Sequence, residues 1–283
     1  MSQVRNGLML LAPLALLLIG FFLLPVLLML PTGFREYVPG AGIAAGSFTL
    51  ENYTSIVTDG YYREVIGRTL GLGFGVTLAC LLLGYPLAYL IARGPSRWRL
   101  PLMLLVIFPM MLNLVVRSFG WIALLANHGL INNLLIDLGV IGAPLKLIYN
   151  LTGLMIGLTH IYLPFMVLML VAAIQSIPRD VESAASTLGS GRWHVFFAIT
   201  LPLTAPGILA GSVLVFVLTI SALVTPRMLG GPTYQVMATL IYDDYLQTLD
   251  WPSGSALAFA LTAMALFFIF LSNRVARRWA VRA

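Results

Sequence analysis

Long runs of apolar residues dominate the chain, and short polar stretches separate them. Six runs are long enough to be helices that cross a membrane, with approximate limits 8–30, 66–92, 100–125, 148–174, 204–226 and 252–274. A helix needs about 20 mostly apolar residues to cross the hydrocarbon core. Of the 283 residues, 60% are hydrophobic and only 9% are charged, which is too apolar for a soluble domain. The pattern predicts an all-α polytopic membrane protein with six transmembrane helices.

The charged residues lie mainly between these runs, and arginine is distributed unequally between the two sides. In the six-helix topology one side carries ten arginines and two acids, whereas the other carries six basic residues and eight acids. The ten arginines are Arg5, Arg93, Arg97, Arg99, Arg179, Arg192, Arg274, Arg277, Arg278 and Arg282. Cytoplasmic loops are enriched in Lys and Arg, so this side, with both chain ends, is assigned to the cytoplasm. No loop carries a long basic run, so no nucleic-acid partner is expected.

The runs and loops divide the chain into three parts. Residues 1–65 hold the first transmembrane helix and an outer loop, residues 66–274 form a core of five helices, and residues 275–283 form a basic cytoplasmic tail. The first run is longer than the apolar part of a usual signal peptide, so it is predicted to remain as a helix. Short outer helices are expected within 126–147 and 227–250.

Glycine recurs at every fourth residue in two of the runs. Gly67, Gly71 and Gly75 have this spacing in the second run, and Gly153 and Gly157 have it in the fourth. Small residues four positions apart lie on one face of a helix and let a neighbouring helix approach closely. We therefore expect these glycines at helix–helix contacts.

Several motifs that carry chemistry are missing from the sequence. The single lysine, Lys146, does not belong to a P-loop, so this chain is not expected to hydrolyse ATP. The three histidines and the lone Cys80 have no partners at metal-ligand spacing, so neither a metal site nor a disulfide is predicted. All ten acids lie outside the six runs, whereas ion-coupled carriers usually keep an acid within the bilayer. A non-enzymatic transport subunit is favoured, and an ion-coupled carrier or channel acting alone is the alternative.

One polar segment, residues 178–202, has the pattern of two short helices at the cytoplasmic surface. The apolar positions spaced i, i+3, i+4 and i+7 in its first half are Val181, Ala184, Ala185 and Leu188. Asp180 is predicted to cap the start of the first helix, and Gly189 to end it in a left-handed conformation. A second helix with an aromatic face begins near Arg192. A face of small side chains suits close docking against another protein, although the pattern also fits a helix that lies on its own membrane domain.

The same segment resembles the Glu-Ala-Ala loop of binding-protein-dependent ABC importer permeases, which have the type I importer fold. The family pattern is Glu-Ala-Ala, three residues, Gly, nine residues, Ile, one residue and Leu-Pro. The matching residues are Ala184-Ala185, Gly189, Ile199 and Leu201-Pro202, all in register. The chain departs at the first position, where Ser183 replaces the glutamate and Glu182 lies one residue earlier. Stretches such as "CLLLGYPLAYLIAR" and "YLPFMVLML" look like those of spermidine/putrescine-type permeases.

The resemblance implies a division of labour within a transport assembly of the bacterial inner membrane. This chain would pair with a second permease, expected to be a paralogue, and would work with two ATPase subunits and an extracytoplasmic solute-binding protein. ATP and Mg²⁺ would bind to the ATPase subunits, and this chain would hold no cofactor. The expected solute is a polyamine such as spermidine or putrescine. Related permeases serve aminobutyrate-like compounds, opines, phosphonates or iron.

Two groups of candidate functional residues follow. The coupling group, which the resemblance implies would contact the ATPase, comprises Asp180, Val181, Glu182, Ser183, Ala184, Ala185, Leu188 and Gly189. The solute-path group comprises Arg117, Trp121, His160, Tyr242, Asp243 and Asp244. Carboxylates and aromatic faces suit an organic cation, although the outer acids also fit the simpler role of holding loops. His160 is more simply interpreted as a hydrogen-bonded contact between helices.

Overall fold

The computed structural model of the protein describes residues 13–44 and 46–280, and these are mostly helical. Within those ranges five helices are long and apolar enough to cross a membrane, or six if one bent pair counts as a single span. The predicted all-α polytopic architecture is therefore confirmed. The start of the first predicted span, Arg5 and the last three residues of the basic tail lie outside the described residues, as do the side chains of Arg277 and Arg278.

The helices are numbered here in chain order. They are α1 (Pro13–Phe34), α2 (Glu51–Thr58), α3 (Gly60–Arg93), α4 (Ser96–Ile107), α5 (Leu114–Leu125), α6 (Leu130–Asp137), α7 (Leu151–Gln175), α8 (Arg179–Thr187), α9 (Arg192–Leu203), α10 (Ala205–Ile220), α11 (Met237–Asp243) and α12 (Trp251–Ala280). Two strands of two residues, β1 (Tyr37–Val38) and β2 (Gly42–Ile43), form an antiparallel hairpin in which Tyr37 faces Ile43. The short helices predicted within 126–147 and 227–250 are present as α6 and α11.

The third predicted span, 100–125, is wrong as a single helix. The chain ends α4 at Ile107, makes a 3₁₀ turn over Phe108–Met111, and starts α5 at Leu114. The side chain of Asn113 accepts a 2.8 Å hydrogen bond from the backbone N–H of Val115 and so caps the new helix. Hydropathy does not register such a cap, because the residues on both sides are apolar. The stretch long enough to span is instead Leu114–Asp137.

The fifth predicted span, 204–226, is also modified. Helix α10 ends at Ile220, and a separate π-helical turn occupies Pro226–Gly230. Before α10 the chain bends by 61° between α9 and α10, with Thr204 at the break. Thr204 lies between Pro202 and Pro206, and proline removes backbone N–H donors from a helix. The bend therefore follows from local backbone chemistry within an apolar run.

Contacts divide the chain into two compact units, each with its own packing. The first contains the described residues up to Glu64 together with Leu240–Thr262. Within it the ring of Phe34 stacks on Phe48 at 5.6 Å and lies 4.7 Å from the ring of Tyr53. The side-chain amide of Asn52 donates hydrogen bonds to two backbone carbonyls of the segment that leads into the hairpin. These contacts hold α2 against the end of α1.

The second unit contains Val65–Thr239 and the residues from Ala263 onward, and it holds the main hydrophobic core. Its glycines meet the expectation of helix contacts only in part. A methyl group on Gly75 would lie 2.9 Å from the sulfur of Met155, and one on Gly157 would lie 2.5 Å from a methyl of Leu229. One on Gly153 would meet a loop carbonyl. At Gly67 and Gly71, by contrast, such a group would meet no described atom within 4 Å, so for those two a helix contact stays a prediction.

Candidate functional site

Helix α8 carries most of the predicted coupling group, and its boundaries are set by proline and glycine. The predicted cap at Asp180 is wrong, because Pro178 precedes the first helical residue and its carbonyl accepts a bond from the N–H of Val181. Asp180 instead lies in the first turn, where a carboxylate is favoured by the helix dipole. At the other end Gly189 has φ +89°, the left-handed conformation expected of a glycine stop.

The apolar side chains of α8 point away from the packing of their own chain. None of the residues of α8 is buried. Val181 and Ala184 are exposed, Leu188 is 87% exposed just after the helix, and Ala185 is half-buried at the edge of this surface. We call Val181, Ala184 and Leu188 the outward face of α8. A contiguous apolar face on a short polar segment is typical of a protein contact surface.

Glu182 points in the opposite direction, into the chain. Its carboxylate lies 3.1 Å from the Nε of Arg93, at the end of α3, and accepts a 3.0 Å hydrogen bond from the hydroxyl of Thr200 in α9. The guanidinium of Arg93 also donates a 2.8 Å hydrogen bond to the carbonyl of Ile177. The side chains of Arg93 and Glu182 are only 9% and 17% exposed. Within the second unit, the first turn of α8 is therefore joined to α3 and α9.

The partners of Glu182 are not among the residues predicted from the sequence. From the sequence, Arg93 is only a charge that sets topology, and Thr200 is only a position on one face of the second short helix. One signal was available in the sequence. Arg93 directly follows the predicted span 66–92 on the side assigned to the cytoplasm, and Glu182 is one of only two acids on that side. Ser183, at the position of the family glutamate, is exposed, and its hydroxyl donates a 3.0 Å hydrogen bond to the backbone carbonyl of Arg179.

Helix α9 shows both an anchored and an exposed aromatic surface. The ring of Phe196 packs edge-on against Tyr85 and Tyr89 of α3, at 5.6 and 5.5 Å. Trp193 and Phe197 stack on each other at 6.2 Å and are exposed. Phe196 therefore anchors α9 to the membrane helices, whereas the other two rings extend the exposed surface of this segment.

The solute-path residues separate into two sets. Trp121 and His160 are brought together, since the indole Nε1 donates a 3.1 Å hydrogen bond to the imidazole Nδ1. Arg117 lies one turn earlier on α5, and its Nε and Nη1 are buried without a hydrogen-bond partner among the described residues. These three residues belong to the second unit, whereas Tyr242, Asp243 and Asp244 belong to the first.

In the set formed by Tyr242, Asp243 and Asp244, the carboxyl of Asp244 is half-buried and close to other acids. Burial raises the pKa of its carboxyl to about 6, and the nearby carboxylates of Asp250 and Asp243 contribute in the same direction. A 3.1 Å hydrogen bond from the hydroxyl of Ser253 acts against this rise. In the part of the chain that the structure describes, no group of three His, Cys, Asp or Glu side chains is arranged to hold a metal ion.

Comparison with known proteins relates this arrangement to a transport family. The family profile described as "Binding-protein-dependent transport system inner membrane component" matches residues 84–281. The spermidine/putrescine transport system permease protein PotB of Haemophilus influenzae is 34% identical over 257 residues, which are 91% of this chain and 89% of that protein. The Escherichia coli PotB is 34% identical over 260 residues, which are 92% of this chain and 94% of that protein.

The fold is also similar to that of one chain in a solved transporter. The crystal structure of a bacterial alginate ABC transporter, in complex with an alginate pentasaccharide-bound periplasmic protein, contains a chain that aligns with a TM-score of 0.77. The two chains are 21% identical, and the alignment covers 98% of this chain and 96% of that one. At this identity the similarity shows the fold alone.

Proposed function

This chain belongs to the family of binding-protein-dependent transport system inner membrane components, and we propose that it is the permease of an ATP-driven importer for a polyamine such as spermidine or putrescine. The observation that carries the proposal is its similarity to PotB permeases along nearly the whole of both chains. The alginate transporter supports only the fold, because its aligned chain is just 21% identical to this one. A multi-pass membrane protein of this family is a transport component and not an enzyme.

The proposed assembly has four kinds of subunit. This chain pairs with a second permease, which we take to be a paralogue, and two ATPase subunits bind ATP and Mg²⁺. A solute-binding protein delivers the polyamine from outside. The outward face of α8 docks on an ATPase subunit, which puts α8 and both chain ends in the cytoplasm. The arginine bias of the sequence supports the cytoplasmic placement, and the apolar residues exposed on α8 support the docking.

Import follows from alternating access. Closure of the ATPase pair on ATP moves α8, and the membrane helices then reorient the solute path. Organic cations are recognised by carboxylates and by aromatic faces. Tyr242, Asp243 and Asp244 supply both chemistries in the first unit. In the second unit Trp121 supplies an aromatic face.

Reconstitution with its genomic neighbours tests the proposal. The chain, a second permease, an ATPase and a binding protein are placed in proteoliposomes, and uptake of labelled spermidine and putrescine is measured with ATP present or absent. We expect ATP-dependent uptake of a polyamine and a rise in ATP hydrolysis when the loaded binding protein is added. Uptake of phosphonate, aminobutyrate, an opine or iron instead would retain the permease role and reject the solute.

The alternative, a carrier or channel that acts alone, is tested with the same vesicles. Proteoliposomes that contain only this chain are given a proton or sodium gradient. Solute accumulation under that gradient, without any ATPase, would reject the assembly proposed here.

A further inference from the structure

The link between α8 and the rest of its chain depends on one side chain. Within the described residues, the other polar side chains of α8 with hydrogen bonds donate to backbone carbonyls of α8 itself: Ser183 to Arg179, Ser186 to Glu182 and Thr187 to Ala184. No residue of α8 is buried, so little apolar packing fixes its position. Glu182 is the exception, since its carboxylate binds Arg93 and Thr200.

The two partners of Glu182 belong to elements that continue into the membrane domain. Arg93 is the last residue of α3, an unbroken helix of 34 residues. Thr200 lies in α9, four residues before the 61° bend at Thr204. The hydroxyl of Thr204 is in turn 2.9 Å from the hydroxyl of Tyr85 in α3. A displacement of α8 thus reaches α3 directly, and it reaches the bend through α9.

We propose that Glu182 is a positioning residue: its carboxylate transmits the movement of α8 to α3 and to the α9–α10 bend, instead of contacting the ATPase. The inference rests on the proposed function, because it takes the ATPase as the partner that moves α8. A nearly buried ion pair suits this role. Its two charges are costly to separate away from water, so the three elements move together.

The position of Glu182 also specifies the surface offered to the ATPase. With its carboxylate turned inward and Ser183 bonded back to its own helix, the outward face of α8 is apolar. The matching groove of the ATPase is therefore expected to accept Val181, Ala184 and Leu188 by shape and apolar contact. A basic side chain in that groove would find no carboxylate partner at Ser183, which occupies the position of the family glutamate.

The test separates transmission from docking in the complete reconstituted transporter. Glu182→Gln and Arg93→Gln each remove one charge of the pair. As a matched control for the arginine, Arg97→Gln removes the same positive charge from an exposed position in the first turn of α4. Two quantities are measured: the amount of ATPase subunit that co-purifies, and the ratio of ATP hydrolysis with and without loaded binding protein. We expect co-purification to persist in all three variants. The ratio should fall at least about fivefold in the first two, equivalent to roughly 1 kcal/mol of coupling, and should stay at the wild-type value in the control.

A double variant and a milder variant make the result decisive. If the pair acts as a unit, Glu182→Gln with Arg93→Gln lowers the ratio no further than either change alone. Thr200→Val keeps both charges and should lower the ratio less than the charge-removing variants do. It serves as a second test in case loss of a charge lowers the amount of the chain in the membrane. Wild-type coupling ratios in Glu182→Gln and Thr200→Val, or loss of ATPase co-purification in Glu182→Gln alone, would overturn the inference. Failure of the wild-type chain to bind any ATPase would instead reject the proposed function.

Discussion

Trp121 and His160 form an edge-on pair, with ring centroids 5.4 Å apart and a 3.1 Å hydrogen bond from the indole Nε1 to the imidazole Nδ1. Because Nδ1 accepts this bond, a neutral imidazole carries its proton on Nε2. The pair joins α5 to α7 within the second unit. This contact is the role that the sequence analysis favoured for His160, although solute contact by the same residues stays a prediction.

The first prediction separates these two roles. Trp121→Phe keeps most of the ring and removes the donor, and His160→Leu removes the acceptor. Interhelical hydrogen bonds in membranes average about 0.6 kcal/mol and reach about 1.7 kcal/mol, so we expect a coupling free energy in this range from the double-mutant cycle. The free energy of unfolding in a detergent titration measures it. Unchanged stability in both variants, accompanied by lost uptake, would assign the pair to the solute path.

The second prediction concerns the outward face of α8. Ala184→Arg places a long charged side chain on a surface that is exposed in this chain and that the proposed docking on an ATPase would cover. Overpacking an interface costs about 1–3 kcal/mol, and an unpaired charge adds to this cost, so association with the ATPase should weaken at least tenfold. Ala185→Arg should act in the same direction and should also disturb its own chain, because Ala185 is half-buried.

Co-purification of the ATPase measures this effect, and membrane level is the control for folding. Ala41→Arg introduces the same side chain at an exposed position next to β2 and should leave association unchanged. Normal ATPase association and uptake in Ala184→Arg would show that α8 is not the docking element.

The third prediction follows from the backbone of Gly189. Its φ of +89° is unfavourable for residues with a side chain, and no atom of the described residues lies within 4 Å of the position a Cβ would take, so the expected cost comes from the backbone. Gly189→Val should therefore cost about 1–2 kcal/mol through backbone strain alone. Gly189→Asn, which tolerates this conformation better, should retain most of the wild-type uptake. Equal uptake by the two variants would show that the conformation of Gly189 is not required.

Hydropathy predicted the helices that are continuous, and local backbone chemistry explains where it failed. The runs 66–92, 148–174 and 252–274 coincide largely with the long helices α3, α7 and α12. A sufficient length of apolar residues is what a membrane helix requires. The run 100–125 is broken at Asn113, whose side chain caps a new helix. A single polar residue changes the mean hydropathy of such a run very little, so the break is not visible in the average.

Contacts between residues that are far apart in the sequence could not be predicted, for a different reason. Arg93 and Glu182 are 89 positions apart, and only the packing of α3 beside α8 brings them together. Spacing places residues on one face of a helix, but it does not say what that face meets. Gly71 and Gly75 illustrate this limit, since they share one spacing and, among the described residues, only Gly75 lies against another helix.

The fourth prediction uses that contrast between glycines. A methyl group on Gly207 of α10 would overlap the Cβ of Ala173 on α7, whereas one on Gly71 would meet no described atom within 4 Å. Gly207→Ala should destabilise the chain by about 1–3 kcal/mol through overpacking. Gly71→Ala should be neutral or stabilising by up to about 1 kcal/mol, because alanine favours a helix over glycine. Thermal unfolding of both variants in detergent checks the pair, and an equal loss of stability would contradict the α7–α10 contact.

The fifth prediction concerns pH and Asp244. Its pKa of about 6 lies above the usual value of 3.8, so between these two values the folded chain binds more protons than the unfolded chain. The contribution of this group to the free energy of unfolding therefore falls as the pH rises from about 4 to 6, and it stays low at neutral pH. Asp244→Asn removes the ionisation and keeps an oxygen that accepts from Ser253. The variant should unfold at a higher temperature than the wild type above pH 6, and the gain should vanish near pH 4.

A matched control distinguishes burial from net charge. Asp137→Asn removes one negative charge at an exposed position, so it should not reproduce a gain that disappears near pH 4. If Asp244→Asn raised the unfolding temperature equally at pH 4.5 and pH 7.5, the benefit would come from altered packing. In that case the carboxyl would not be held in the desolvated environment that shifts its pKa. The loss of the gain at low pH is thus the feature that ties this carboxylate to burial against Ser253 and its acidic neighbours.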